Sequence, residues 1–115
     1  MIYHITTQAE WDGAGAAGVY RAPSLSQEGF IHASNREQVV GTANLLFQGA
    51  RGLVLLCIDT QRLSAELRYE GVVGTNQQFP HIYGPLNLDA IIGVVDFPAD
   101  PETGQFHLPT DLPAE

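Results

Sequence analysis

Lysine is absent from this chain, and its five arginines stand against 13 acidic residues, which gives a formal net charge of -8 over 115 residues. A protein that holds nucleic acid through its phosphates needs a basic surface. An acidic surface repels such a polyanion at long range, so we expect no extended nucleic acid as a partner. The charge favours a small-molecule ligand, and a single nucleotide held by one or two arginines stays open.

The chain is also poor in cysteine and in long apolar runs. The one cysteine, Cys57, lies in the apolar run from Leu53 to Ile58, and a single thiol forms no internal disulfide, which is typical of a reducing cytoplasm. The run is far shorter than the ~20 residues of a membrane span. The first residues lack the basic region and the small-residue cleavage site of a signal peptide. We therefore predict a cytoplasmic protein with no membrane partner.

The motifs of metal and phosphate chemistry are missing as well. The chain has no H-E-x-x-H sequence, no pair of Cys-x-x-Cys sequences and no P-loop, so we expect no metal site. A G-x-G-x-x-G pattern runs from Gly13 to Gly18, but it lies at the end of a predicted helix. The dinucleotide fingerprint needs a long strand before it and a long helix after it, so this match does not indicate a Rossmann fold.

Apolar patterning predicts one α+β domain in which strands outnumber helices. Thr7-Gln8-Ala9-Glu10 and Ser34-Asn35-Arg36-Glu37 both match the capping box that opens a helix. Strands are predicted at 1–6, 29–33, 53–59, 66–70 and 90–97. Because strands and helices do not alternate regularly, residues 1–97 are expected to form small antiparallel or mixed sheets with two to three helices. Residues 98–115, rich in proline and acidic side chains, are expected to form a C-terminal strap or tail.

Three of the four histidines lie beside aromatic residues in short strand-like segments, a pattern that indicates a functional site. His4 is either a hydrogen-bond donor at the floor of a pocket or a core histidine satisfied by one carbonyl. His32 lies near the helix N-terminus predicted at Ser34, where an anion binds well, or it bonds within a turn. His81 and Tyr83 share a strand face, which suits stacking on a flat ligand, acid–base chemistry or simple packing.

Other polar residues complete the predicted site. Glu70 ends a strand, where it acts as a base, orients a sugar hydroxyl or is merely solvated. Pro80 and Pro85 restrict the segment around His81, so this segment is expected to keep its shape before a ligand arrives. The predicted catalytic residues are His4, His32, His81 and Glu70, and the predicted ligand-binding residues are Tyr3, Ser34, Tyr83 and Asn87.

Four segments carry a resemblance to a known family: Tyr3-His4-Ile5, Gly29-Phe30-Ile31-His32-Ala33-Ser34, Leu67-Arg68-Tyr69-Glu70 and Phe79-Pro80-His81-Ile82-Tyr83-Gly84-Pro85-Leu86-Asn87. From about Met1 to Phe97 the chain resembles a bacterial family, the domain of unknown function 952. That family is similar to the ADP-ribosyltransferase-like fold, in which two small sheets surround an NAD cleft. The resemblance implies NAD as a cofactor, Tyr3-His4 at its ribose and Glu70 as the acidic residue that some transferases need.

Two functions stay open at this point. The first is an NAD-dependent enzyme that transfers or hydrolyses ADP-ribose, or that removes an RNA 2′-phosphate, in a cleft lined by His and Tyr. The second is a non-catalytic module that binds a small metabolite. The net charge of -8 counts against the first, because a dinucleotide is itself anionic.

Overall fold

Eight strands and three α-helices form in the computed structural model, which describes residues 1–115. The helices are α1 (Gln8–Ala17), α2 (Pro23–Glu28) and α3 (Val39–Leu46). The strands are β1 (Ile2–Thr7), β2 (Val19–Tyr20), β3 (Ile31–His32), β4 (Leu53–Ile58), β5 (Glu66–Gly71), β6 (Gln78–Tyr83), β7 (Leu86–Asn87) and β8 (Ile91–Asp96). Two single turns of 3-10 helix, Thr60–Arg62 and Leu88–Ala90, complete the list.

The centre of the fold is β4, which lies between β1 and β8 and pairs with both in antiparallel fashion. All six of its residues are buried, because apolar side chains cover both faces of the strand. Val54, Leu56 and Ile58 belong to one hydrophobic cluster, and the alternate residues belong to a second. Cys57 is among the latter, and burial raises the pKa of its thiol to about 11. The buried central strand predicted from the apolar run is therefore confirmed.

A second antiparallel sheet has the order β3-β6-β5, and β2 forms a two-residue pair with β7. In the second sheet His32 of β3 lies directly opposite His81 of β6. An isolated bridge between Tyr3 and Ser34 joins β1 to the chain that follows β3. These pairings bring β1, β3 and β6 together, and each of these strands carries one histidine of the predicted site.

Thr7 opens α1 as the sequence predicts. Its hydroxyl oxygen accepts a hydrogen bond from the backbone N–H of Glu10 at 3.1 Å, which satisfies one of the unpaired donors of the first turn. Gly18 ends the helix with a φ of 80°, a left-handed conformation that favours glycine.

The second capping box, at Ser34, is a wrong prediction. The backbone N–H and C=O of Ser34 both bond to Tyr3 at 2.8 Å, so Ser34 is held in an extended bridge. The side-chain oxygen of Gln38 accepts from the backbone N–H of Asn35 at 2.9 Å, and α3 begins only at Val39. The strand predicted at 29–33 shortens to Ile31–His32, because Gly29 ends α2 in a left-handed conformation with a φ of 89° and cannot be part of a strand.

Residues after β8 return to the core. Phe106 is 1% exposed and packs in the second cluster beside Phe97, with ring centroids 5.0 Å apart. The Asn44 side chain of α3 fixes this segment, because its carbonyl oxygen accepts from the backbone N–H of Phe106 at 2.7 Å.

The predicted class, a compact single α+β domain with small sheets and two to three helices, is confirmed, and every strand pair is antiparallel. None of the helices combines the length and the apolar character that crossing a membrane requires.

Candidate functional site

A cavity of about 530 Å³ lies where β1, β3 and β6 meet α3 and the loop between β5 and β6. Its volume falls in the range of small-molecule sites, roughly 300–1,000 Å³. His4, His32 and His81 all contribute to its wall, and most other lining side chains are apolar or hydroxyl-bearing. The structure therefore brings five of the predicted site residues to one cavity, because Tyr3 and Ser34 also belong to its lining.

His81 is held by a carboxylate on the neighbouring strand. Its Nδ1 lies 2.9 Å from Glu70 Oε1, and the same oxygen accepts a short hydrogen bond from the hydroxyl of Tyr83. The bonds from Tyr83 and His81 lower the pKa of Glu70, which keeps this carboxylate ionised, and the pKa of Tyr83 is raised by the same contact. The ring of Phe30 stacks on His81 with centroids 4.1 Å apart, so the imidazole plane is also fixed.

The other nitrogen of His81 has no partner. Its side chain is 7% exposed, and Nε2 is buried without any hydrogen bond. Buried polar atoms without partners are uncommon in folded proteins and cost about 1–3 kcal/mol each. Since Nδ1–H donates to Glu70, the neutral ring keeps an acceptor lone pair at Nε2. A ligand with an N–H or O–H group would satisfy this atom once it displaces the side chains that cover Nε2.

His32 forms a second pair of the same kind. Its Nε2 lies 2.7 Å from Glu28 Oε2, and about half of both side chains is exposed. The rings of His32 and His81 are nearly perpendicular, with centroids 5.4 Å apart. Two neighbouring imidazoles, each held by its own carboxylate, therefore lie on the cavity wall, one buried and one open to solvent.

His4 has both ring nitrogens engaged. Its Nδ1 donates to the backbone carbonyl of His32 at 2.5 Å, and its Nε2 lies 2.8 Å from the hydroxyl of Tyr20. Burial lowers the pKa of His4 to about 4, so the ring is neutral at pH 7. In that state Nε2 accepts a hydrogen bond from the hydroxyl of Tyr20, whose oxygen lies 2.9 Å from the hydroxyl of Thr6. Burial also raises the pKa of Tyr20, to about 12.

The side chains of the other predicted residues make contacts of a different kind. Glu70 and Tyr83 do not line the cavity but hold His81, and Arg68 lies 4.6 Å from the centre of the Tyr83 ring. The hydroxyl of Tyr3 accepts from Arg36 at 3.2 Å within the second cluster, on the opposite face of β1 from His4. The Ser34 hydroxyl is at the cavity, 3.4 Å from that of Thr42.

Asn87 is not brought to the site. Its amide group donates to the backbone carbonyl of Arg62 at 2.9 Å, and its side-chain oxygen accepts from the backbone N–H of Ser64 at the same distance. These bonds fix the turn after β4, which explains why the structure places this amide away from the cavity.

Tyr20, Thr6, Glu28 and Phe30 are important residues that sequence reasoning missed. Phe30 carried a usable signal, because residues two apart in an extended segment share a face and Phe30 precedes His32 by two. The centroids of these two rings are 4.8 Å apart. Tyr20 gave no such signal, since only the folded chain brings it to His4.

The mouth of the cavity is apolar. Leu45 and Leu46 at the end of α3 and Val72 and Val73 in the loop after β5 are all exposed although they line the cavity. We call these four side chains the apolar rim. Exposed apolar patches beside a cavity are a common mark of a binding site.

This architecture and this cavity define a small α+β protein with a histidine-lined site held by glutamates. The chain matches the family described as "Protein of unknown function (DUF952)" over residues 5–94 and therefore belongs to it, as the resemblance predicts. No curated protein matches the chain.

Solved structures of one bacterial relative share the fold. The X-ray structure of protein CC0527 from Caulobacter crescentus is 36% identical, with 93% of each chain covered and a TM-score of 0.82. The solution NMR structure of the same protein covers 88% of this chain and 87% of its own, at 36% identity and a TM-score of 0.75.

Proposed function

We propose that the protein binds a small molecule in the histidine-lined cavity and acts on it by acid–base chemistry at His81. One observation carries this proposal: the imidazole is fixed on one side by Glu70, while its buried Nε2 has no partner. A purely structural histidine would be expected to use both nitrogens, as His4 does.

In this proposal Nε2 of His81 is the general base. It takes a proton from an O–H or N–H group of the ligand, and the carboxylate of Glu70 stabilises the imidazolium that forms. Tyr83 donates to the same carboxylate oxygen and so holds Glu70 in position. Phe30 restrains the ring by stacking, which limits the reorganisation that proton transfer requires.

His32 is suited to the complementary step. Its ring is half exposed, so solvent reaches it, and its Nε2 lies 2.7 Å from Glu28 Oε2. It can therefore return a proton to the bound molecule from a position beside His81. His4 supports the site instead, because its ring links β1 to the backbone of His32 and has no free nitrogen.

NAD or a nucleotide fragment of it remains a second proposal. The aromatic rings of Phe79 and Tyr20 in the cavity wall support it, because flat bases stack on such side chains. So does the relation to the ADP-ribosyltransferase-like fold that the sequence suggests. The absence of any arginine or lysine from the wall counts against a diphosphate.

Histidine resonances test both proposals. Protein labelled with ¹⁵N at histidine is titrated with NAD, ADP-ribose, AMP and a library of uncharged fragments, and long-range ¹H–¹⁵N spectra report each ring nitrogen. We expect a bound ligand to shift the ¹⁵N resonance of Nε2 of His81. Nicotinamide release, measured by chromatography, decides whether NAD is a substrate. Ligands that shift only the exposed His107, or no histidine at all, would contradict an acid–base site at His81.

A carboxylate variant adds a functional readout. For any substrate found, Glu70→Gln should lower kcat by roughly 10²–10⁴-fold, because the amide does not stabilise the imidazolium. Glu102→Gln, on an exposed turn outside the cavity, is the matched control and should leave kcat unchanged. Equal rates for Glu70→Gln and the unmodified protein would contradict the proposed role of Glu70 in stabilising the imidazolium of His81.

A further inference from the structure

The charges around the cavity restrict the ligands that it accepts. None of the five arginines lines the wall, and the chain has no lysine. Glu10 is the one acidic side chain of the lining, and Glu28 and Glu70 lie behind the two histidines that they hold. A ligand anion would therefore meet carboxylates without a compensating arginine or lysine.

Three of the five arginines would also have to leave existing partners to turn towards the cavity. These contacts are Arg36 with the Tyr3 hydroxyl at 3.2 Å, Arg62 with Asp59 at 3.5 Å and Arg68 with Glu66 at 2.8 Å. Bringing any of them to the ligand would break a contact that the folded protein already has.

The apolar rim indicates what the body of the ligand looks like. The exposed fraction is 79% for Leu45 and 102% for Val73, so the protein covers little of the first side chain and none of the second. These side chains extend the apolar wall of the cavity, which also contains Phe47 and Phe79. An apolar ligand that extends from the cavity would remove this surface from water, which favours binding.

We infer that the site takes an uncharged, mainly apolar molecule with one hydroxyl or amide N–H group. The apolar body covers the rim, and the polar hydrogen bonds to Nε2 of His81, the buried atom that has no partner in the protein. This inference rests on the proposed function, because it assigns a ligand class to the same site.

Two nearly isosteric probes separate charge from shape: indole-3-acetamide, which is uncharged, and indole-3-acetate, which is an anion. Calorimetry at about pH 7.5 gives the affinity of each for the full chain. We expect the amide to bind at least about tenfold more tightly, since the acetate meets carboxylates without a compensating arginine or lysine. Equal or tighter binding of the acetate would overturn the inference.

A rim variant and its control test the apolar contact. Leu45→Ser should weaken binding of indole-3-acetamide by roughly fivefold to tenfold, because less apolar surface is removed from water. Leu108→Ser alters an exposed leucine outside the cavity and should leave the affinity unchanged. Equal effects of the two variants would overturn the assignment of the rim.

The inference and the proposed function fail in different ways. If indole-3-acetamide does not bind at about 1 mM, the inferred ligand class is wrong, and the wider titration still decides whether His81 is a base. If the amide binds and the resonances of His81 do not move, the acid–base site is wrong as well as the contact inferred here.

Discussion

Acidification should destabilise the protein through His4, and the size of the effect follows from its burial. The pKa of His4 is lowered to about 4 because burial disfavours the charged ring, whereas an exposed histidine titrates near 6.5. Between these values the unfolded chain binds a proton at this position that the folded chain does not bind. Stability is therefore retained above about pH 6.5 and is lost as the pH falls towards 4.

The magnitude is large for a domain of this length. The free energy of unfolding changes by about 1.4 kcal/mol per pH unit between the two pKa values. Protonation of His4 in the unfolded chain therefore lowers it by roughly 3 kcal/mol in all, of which about 2 kcal/mol is lost between pH 7 and pH 5. The whole free energy of unfolding of a protein domain is about 5–15 kcal/mol. Urea unfolding at a series of pH values, with the free energy extrapolated to water, measures the loss.

The variant His4→Asn separates this effect from other titrations. It should be less stable than the unmodified protein at pH 7, because the bonds to Tyr20 and to the carbonyl of His32 are disturbed, but its stability should depend less on pH. His107→Asn, at an exposed position, should keep the full pH dependence. The same slope in His4→Asn and in the unmodified protein would refute the reasoning, and an NMR titration of His4 gives its pKa directly.

Two further predictions concern Phe106, in the segment after β8, and the carboxylate that holds His81. Phe106→Ala should lower the free energy of unfolding by about 3–5 kcal/mol, whereas Leu108→Ala at an exposed site should change it by roughly 0.5 kcal/mol or less, as urea unfolding will show. The pKa of Glu70 is lowered by its bonds from Tyr83 and His81, so its contribution to stability is present above its usual pKa and is lost as the pH falls through the lowered value. Glu70→Gln should therefore destabilise the protein more at pH 7 than at about pH 3. An equal loss of unfolding free energy at both pH values would show that the ionised Glu70 does not stabilise the fold through Tyr83 and His81.

Local patterns predicted the elements whose causes are local. The buried strand β4 follows from an apolar run that does not alternate, and the start of α1 follows from a hydroxyl at Thr7 placed before a free N–H. Ser34 has the same local pattern, yet the sequence prediction failed there. The bridge to Tyr3 engages both backbone groups of Ser34, and this long-range contact outweighs one capping bond.

The three predicted histidines all line the cavity, but only some of their contacts could be predicted from spacing. His81, Glu70 and Tyr83 belong to one sheet, and the residues two apart on β6 were expected to share a face. The pairing of His4 with Tyr20, and the contact of His32 with Glu28 across a turn, depend on how separate elements pack. Asn87 has the hydrogen-bonding groups of a ligand-binding residue, but its amide stabilises a turn by bonding to the backbone of Arg62 and Ser64. The polarity of a side chain alone does not specify its partner.

The return of Phe106 to the core determines when the chain can finish folding. Its backbone is bonded to Asn44, 62 residues earlier, and its ring packs in the cluster that also contains Val39 and Leu55. On the ribosome, β1 and β4 emerge long before this phenylalanine does. The second cluster therefore lacks the side chain of Phe106 until the segment after β8 has been synthesised. Contacts of such sequence separation slow folding and leave apolar surface exposed in the meantime. Exposed nascent chains of this protein are therefore expected to engage a chaperone while residues 98–115 are still being synthesised.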